Sequence, residues 1–556
     1  MAPQDAHEIA VNVPAVLPAD TQLQTLSIDE PQTASRSKPR LAMIVFALCL
    51  SMFTVALDQT IVATALPAIT SDLHSASGYS WIGSAYTLAG AATCTIWTRA
   101  SDIWGRKMIL LITVAWFFAA SIMAGVSKNM PMLITARALQ GTAGGGILQM
   151  VIITISDLFS LRKRSLFVAL LEVIWTLAGG VGPLLGGAFA QYVSWRWCFY
   201  INLPINGLSF ILILATMDVH NPHTGLRDGL AAIDWLGTIS VLGVVLMLLL
   251  GLDFGGVVAP WNSATIICLL VFGAAMIACF LYIERRFAKY PLMPLDIFKN
   301  WRNVAVTVVL VTHGMAFIAA EYYLPLYLQS AKEASPTKSG VLILPLTISG
   351  AVAGALSGVA MHRTGRYREL IWFGAFMTAL GVGLFALLAP ETPLAQIVIF
   401  QIIAGVGMGP LFQAPIIAIQ AAVSQADTAA ATSTFGFLRN VATSVSLVVG
   451  AVVFQNGMET RLASMVDVGI SQEVIAALSD GKAAANVMVT QAISDPVQRE
   501  AVEAAFAWSL RNMWIMFAGI AGLGTVASIF VAQQHLKAEH VETKTGIDAM
   551  KKQTSG

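Results

Sequence analysis

Five ionisable side chains stand inside runs otherwise fit for lipid: Asp58, Arg137, Glu172, His313 and Glu321. A charge at bilayer depth costs about 2.5–3.5 kcal/mol on insertion scales, so such residues pair, face water or carry protons. Desolvation raises the pKa of a buried carboxylate, which makes Asp58 or Glu172 a usable proton carrier. The other reading of Asp58 is a helix-packing hydrogen bond near the membrane edge. Arg137 cannot lose its proton in practice, yet it sets the proton affinity of a neighbouring carboxylate. Its alternative is an ion pair that locks two helices. Glu172 lies a turn before Trp175 and is either a cavity site for a proton or cation, or a paired packing residue. His313 and Glu321 are eight residues apart, about two helical turns, hence on one face. With Tyr322 and Tyr323 they suit an apolar or cationic ligand, although a tyrosine pair also anchors helices at a membrane surface.

Other chemistry is missing from the sequence. There is no G-x-x-x-x-G-K-[ST] phosphate loop, so no ATP-driven pump is indicated, and no H-E-x-x-H or G-x-S-x-G motif occurs. The five cysteines form no CxxC pair and suggest neither a disulfide framework nor a zinc site. No enzymatic activity, cofactor or metal is expected.

The elements that must position these residues are membrane helices. Of 556 residues, 56% are hydrophobic and only 11% charged, where a soluble protein carries roughly 25% charged residues. A net charge of +1 gives no sign of a nucleic-acid partner. Fourteen apolar segments, from 41–66 to 508–533, each have the length of a spanning helix. Arg and Lys concentrate in alternate loops, among them Arg106/Lys107, Arg162/Lys163/Arg164 and Arg363/Arg366/Arg368. The positive-inside rule then places both termini in the cytosol. Residues 1–40 and 534–556 read as cytosolic tails, the first polar, Pro-rich and disordered. The long segment 457–507 reads as an extracellular loop of short helices with a lid or packing role, and Ser494-Asp495-Pro496 predicts a helix start.

An internal repeat organises the spans. Asp102-Ile-Trp-Gly105-Arg106 matches His362-Arg-Thr-Gly365-Arg366 in spacing. Arg137-Ala-Leu-Gln-Gly141 matches Gln401-Ile-Ile-Ala-Gly405, so Gln401 is the counterpart of Arg137. Residues 41–218 and 303–533 become two six-helix halves, with two inserted spans in 219–302. Two repeated halves with a site between them is the layout of many secondary transporters. Ala178, Gly182 and Gly186 make one small-residue face and Pro183 bends its helix. With Gly187 they predict a tight seam between the halves that seals against proton leak.

Taken together, these pieces resemble the major facilitator superfamily, in particular its 14-span drug:proton antiporter family. Leu57-Asp58-Gln-Thr60-Ile61-Val62 to Pro67 is similar to that family's first-span signature, and Asp102 to Lys107 to its cytoplasmic loop. Arg137-x-x-Gln140-Gly141 is similar to its fourth-span motif, and Gly182-Pro183-Leu-Leu-Gly186-Gly187 to its antiporter motif. Trp195-Arg196-Trp197 to Pro204 resembles fungal members. Thr98, Ala100 and Ala178 depart from the pattern, and Glu172 lies outside it. The resemblance implies an all-α membrane protein with fourteen spans that exports a small, apolar drug, fungicide or toxin by alternating access. It implies a proton role for Arg137 and a gate at Asp102, Gly105 and Arg106 that holds the halves together, echoed by His362, Gly365 and Arg366. The expected partners are the small molecule, protons and the lipid bilayer, for a monomer in the plasma membrane, with the vacuolar membrane left open. A siderophore or vacuolar amino-acid carrier, or a non-transporting receptor, are the rival readings. Trp175, His313, Glu321, Tyr322 and Gln401 are the expected substrate contacts.

Overall fold

In lipid each backbone group must be satisfied within its own segment, and apolar runs of this length therefore fold as helices. The computed structural model describes residues 37–74, 78–220, 222–256, 259–288, 291–425, 427–479, 482–484, 486–536 and 545–547. Residues 1–36 of the first tail and most of the second lie outside them. Six long helices come first: α1 Lys38–Asp72, α2 Gly78–Trp104, α3 Arg106–Gly125, α4 Met130–Leu158, α5 Leu161–Tyr192 and α6 Asn202–Thr216. Two inserted helices follow, α7 Trp235–Phe254 and α8 Ala264–Arg286. The last six are α9 Trp301–Ser330, α10 Leu344–Thr364, α11 Arg368–Phe385, α12 Leu394–Ala422, α13 Thr428–Asp467 and α14 Pro496–Ile529. Among the described residues thirteen helices are long and apolar enough to cross a membrane. The expected fourteenth, α2, is 27 residues long but rich in Gly, Ser and Thr, and does not meet that measure.

Short polar side chains start the helices where the sequence supplies them. The Asn129 side chain accepts the Met132 amide at 2.9 Å ahead of α4. Asp495 accepts the Val497 amide at 2.9 Å ahead of α14, at the predicted start. The segment between α13 and α14 is shorter than expected, because α13 continues to Asp467 and α14 begins at Pro496. It holds a short helix, Gln472–Leu478, and a 3-10 turn, Val487–Ala492. Ile470, Leu478 and Ile493 pack into the same apolar core as Tyr327 and Phe506. The segment is thus a packed cap on the C-terminal half.

Glycines bring the central helices of each half together in the same way. A Cβ on Gly90 of α2 would meet the Gly141 carbonyl of α4 at 3.1 Å, and one on Gly354 of α10 would meet the Gly409 carbonyl of α12 at 3.3 Å. Helices α7 and α8 pack on each other, and α7 packs on α2 and α13. Outer residues of α8 such as Val271, Phe272 and Tyr282 remain about 60% exposed, at 59%, 59% and 63%, as suits a lipid-facing helix.

The two halves close at the end that carries the Arg and Lys clusters. Arg162 Nε donates to the His362 carbonyl at 2.7 Å, and the same guanidinium donates to the Arg363 carbonyl. Ser165 Oγ donates to the Gly358 carbonyl at 3.2 Å, and Arg164 Nη2 to Gln425 Oε1 at 2.8 Å. Towards the opposite end, α5 and α10 present open faces: Leu184 is 74% exposed, Val352 54%, and a Cβ on Gly180 would meet nothing within 4 Å.

Candidate functional site: a buried ion pair, a gate and a cleft floor

Asp58 sits fully buried on α1 and is saturated by donors of its own half. Arg137 Nη1 pairs with Oδ2, Gln140 Nε2 donates to Oδ1 at 3.1 Å and Asn202 Nδ2 to Oδ1 at 2.7 Å. Arg137 also donates to the Ile82 carbonyl at 3.1 Å and lies over the Tyr86 ring at 4.4 Å. Gln140 reaches Ser121 Oγ at 2.9 Å. Four residues from α1, α4 and α6 therefore share one buried network, in which Asn202 Oδ1 meets no partner. Burial of this kind holds an ion pair only because its remaining hydrogen bonds are met.

The Asp102 turn is likewise local. Arg106 Nη1 lies 2.6 Å from Asp102 Oδ1 and Arg106 Nε lies 2.8 Å from Asp157 of α4, while Arg99 approaches Asp102 at 3.4 Å. The expected charge contact between the halves is not made by Asp102 here; it ties α2, α3 and α4 together. Gly105 supplies the turn with φ +93°, and Pro222 Cδ would lie 2.9 Å from an added Cβ. The repeat turn uses Gly365 at φ +70°, while Arg366 only approaches the exposed Glu369 at 4.0 Å. His362 Nδ1 meets the Arg162 carbonyl at 3.0 Å. Contact between the halves thus runs through Arg162, Arg164 and the α10 backbone. Asp102 and Arg106 border a cavity of about 1090 Å³ at this end, together with Glu284, Asn303 and Asp427.

The small-residue face of α5 also has a partner other than the expected one. A Cβ on Gly182 would collide with Thr60, and one on Gly186 with Ile61 and Thr64, all on α1. Thr60 Oγ1 donates to the Ala178 carbonyl at 3.1 Å and Thr64 Oγ1 to the Pro183 carbonyl at 3.3 Å, a carbonyl of the bent turn. The seam lies inside the N-terminal half, not between the halves. Gly187 faces open space.

Helices α5 and α10 approach closely at Gly358. An added Cβ on Gly358 would lie 2.8 Å from the Ser165 carbonyl, 3.2 Å from Gln413 Oε1 and against Ala169. Glu172 is the next turn of α5 and is partly buried. It lies ten residues from Arg162, about 15 Å along the helix. The opposite charge that Glu172 feels is Arg439 of α13, and Arg439 in turn feels Glu172. Among the described residues no contact ion pair joins them. Arg439 Nη2 donates to the Phe412 carbonyl at 3.0 Å, its guanidinium lies 5.7 Å from the Phe412 ring, and its Nε has no partner. His313 and Phe317 of α9 each stand 4.7 Å from the Phe412 ring, edge to face. Gln149 of α4 abuts Gly436, one turn before Arg439.

The floor therefore unites Glu172 and His313 of the expected residues. Trp175 is partly buried and packs beside the cores around Phe117 and Leu57. Gln401 is buried with neither end of its amide bonded, twelve residues and about 18 Å along α12 from Gln413. Glu321 lies about 12 Å along α9 from His313, and Tyr322 is 56% exposed against Tyr323, so these two are not brought to the floor. Sequence reasoning missed Arg439, Phe412 and Gln149. Arg439 carried the same signal as Asp58, a charge inside an apolar run. Phe412 and Gln149 carried none. No group of three or more metal-ligating side chains occurs among the described residues.

The opposite end is held by the Trp195-Arg196 pair. Trp195 Nε1 and Arg196 Nη1 each donate to Asp72 Oδ2 at 3.0 Å. First the Trp195 bond and then Arg196 keep that carboxyl below the usual carboxylate range. Tyr367, in the turn between α10 and α11, is pushed above the usual phenol range by burial.

Repeated helical halves closed at one end over an internal polar floor define a secondary transporter of the alternating-access kind, not an enzyme. The family model of the major facilitator superfamily matches residues 48–232 and 230–447, and the chain belongs to that superfamily. It is 43% identical over 512 residues to the efflux pump dotC of Dothistroma septosporum, covering 92% of this chain and 88% of that one. It is 42% identical to the MFS-type transporter ppz2 of Metarhizium majus, covering 96% and 91%. It is 34% identical to the efflux pump FUS6 of Gibberella moniliformis, covering 98% and 96%. Among solved structures, the human organic anion transporter MFSD10 (TETRAN) superposes with TM-score 0.56 at 12% identity, covering 89% of this chain and all of that one, a likeness of fold alone.

Proposed function

We propose that this protein is a proton-coupled antiporter that exports a small organic compound, with the basic end in the cytosol and the open end outside. The observation that carries the reading is Glu172, a carboxylate one turn beyond the close approach of Ala169 to Gly358 of the opposite half, where a proton from the open side and a substrate would compete for one group. The relatives, efflux pumps of fungi, support export of a drug-like or toxin-like molecule. The basic clusters at the closed end support the orientation by the positive-inside rule, and the plasma membrane is the natural site for such a pump.

In this cycle a proton from outside neutralises Glu172, the contacts of Arg162 and Arg164 with the opposite half part, and the site turns to the cytosol. Substrate then replaces the proton at Glu172 and the halves close again. Asp58 and Arg137 keep the shape of the N-terminal half throughout. No bound cofactor is required, because the gradient is sufficient. Two pH units supply about 2.7 kcal/mol, and 100 mV about 2.3 kcal/mol per charge. The test is purified protein in liposomes with an imposed pH gradient and a panel of apolar dyes. Uphill dye movement that stops with a protonophore is expected. Dye movement indifferent to the gradient would contradict proton coupling.

A further inference from the structure

The floor of the cleft offers two opposed polar groups on opposite halves, set among rings. Arg439 has five donors, of which the structure commits one Nη2–H to the Phe412 carbonyl and leaves Nε without a partner. An uncommitted buried donor is costly unless an acceptor reaches it. Glu172 is the group of opposite charge that Arg439 feels, and no ion pair closes between them among the described residues. Phe317 and Phe412 stand edge to face at 4.7 Å, with His313 beside both rings. Such an arrangement takes a flat ring against a ring edge or face.

We propose that this floor is a two-point site for planar aromatic molecules that carry a hydrogen-bond acceptor and a donor close together. Arg439 donates to the acceptor, Glu172 accepts from the donor, and Phe317, Phe412 and His313 hold the ring system. The inference rests on the antiport reading and names the substrate class for it. It also gives that reading its competition: a proton on Glu172 takes the place of the substrate's donor, so binding weakens as the pH falls. The groups that could modify this titration are few. Arg439 faces Glu172 from α13, and His313 of α9 faces Arg439. Asp58 of α1 is turned into its own network, and His362 and Arg363 of α10 meet Arg162 at the basic end.

The test uses full-length purified protein in detergent, without a gradient, and three naphthalene probes in equilibrium dialysis. 2-Naphthamide has acceptor and donor and stays neutral between pH 5 and 8. Methyl 2-naphthoate has only the acceptor, and naphthalene has neither. For the wild type at pH 7.5 the amide should bind about tenfold more tightly than the ester, the worth of one hydrogen bond to a charged group. Its affinity should fall severalfold at pH 5. Arg439→Gln should bring amide and ester towards the naphthalene level, and Arg439→Lys should restore part of the loss, which a misfolded variant would not. Glu172→Gln should remove the pH dependence. Equal affinity of the wild type for amide and ester would overturn the site, as would no amide binding to monodisperse protein, or ester binding by Arg439→Gln as tight as by the wild type. Absence of gradient-driven export in liposomes with this discrimination intact would instead overturn the antiport reading.

Discussion

In the N-terminal half the crossing of α2 and α4 carries Arg137 and Gln140, joined to Asp58 of α1 and Asn202 of α6. In the C-terminal half the crossing of α10 and α12 carries Gln401 and Ala404 at the matching positions, and the Gln401 amide meets no partner. Both crossings nevertheless bring backbones close, an added Cβ meeting the facing carbonyl at 3.1 Å for Gly90–Gly141 and at 3.5 Å for Gly350–Gly405. The glycines make the crossing and the charges do not. A buried ion pair is in general weak evidence for stability, because desolvation offsets much of its attraction. What distinguishes the N-terminal half is therefore a buried polar network around its ion pair, where the C-terminal half leaves the Gln401 amide unbonded.

The largest effect that could break this comparison is expected at Asp58. Asp58→Ala leaves Arg137 buried without its carboxylate and should cost about 3–5 kcal/mol, read as a large fall in the melting temperature of purified protein. Gln401→Leu, at the counterpart of Arg137, should be neutral or slightly stabilising, because it removes a buried amide that has no partner. Equal losses at both positions would mean that the halves are held alike. Next, Gly145→Ala and Gly405→Ala should each cost about 1–3 kcal/mol by overpacking, with similar values in the two halves. A much smaller loss at Gly405 would show that the C-terminal crossing is the looser one. Arg162→Ala removes hydrogen bonds worth about 1 kcal/mol each and should shift the halves towards opening at the basic end. Spin labels at Tyr192→Cys and Val341→Cys, both exposed, would read this as a shorter distance across the open end.

The smallest effect is at Asp72. Its carboxyl is held below the usual range, so its contribution is present above the unfolded carboxylate pKa and is lost as the pH falls through the lower folded value. Acidification from pH 7 to pH 5 should therefore leave it intact. Asp72→Asn should cost less than about 1 kcal/mol, since the pair with Arg196 is half exposed and screened. A melting temperature that falls between pH 7 and pH 5 in the wild type but not in Asp72→Asn would contradict this sign.

Much of the architecture was legible in the sequence, because helix length and apolarity follow from the membrane itself. The start of α14 was a local fact that cap chemistry dictates. Partner choice was not legible. Spacing shows that Ala178, Gly182 and Gly186 share a face, yet nothing in the spacing says that α1 rather than the other half covers it. The resemblance makes Asp102 a tie between halves, but its guanidinium partners Arg99 and Arg106 lie in or beside its own turn, and the tie passes instead through Arg164 to Gln425 and through backbone carbonyls of α10, which leave no mark in a sequence. Along α9 one face was drawn through His313 and Glu321, although eight residues separate them by about 12 Å, so one face spans both floor and rim. Arg439 was there to be read as an intramembrane charge and gained meaning only once its place beside Phe412 and its opposite charge Glu172 were seen.

The account turns on Glu172 as the group where proton and substrate compete, with Asp58 confined to structure. The most direct test is Glu172→Gln in liposomes, with counterflow of labelled substrate and gradient-driven export measured on the same preparation. The account predicts that counterflow persists and becomes insensitive to pH, while a pH gradient no longer drives substrate uphill. Gradient-driven export at the wild-type rate by Glu172→Gln would contradict it and return the proton to Asp58 and Arg137.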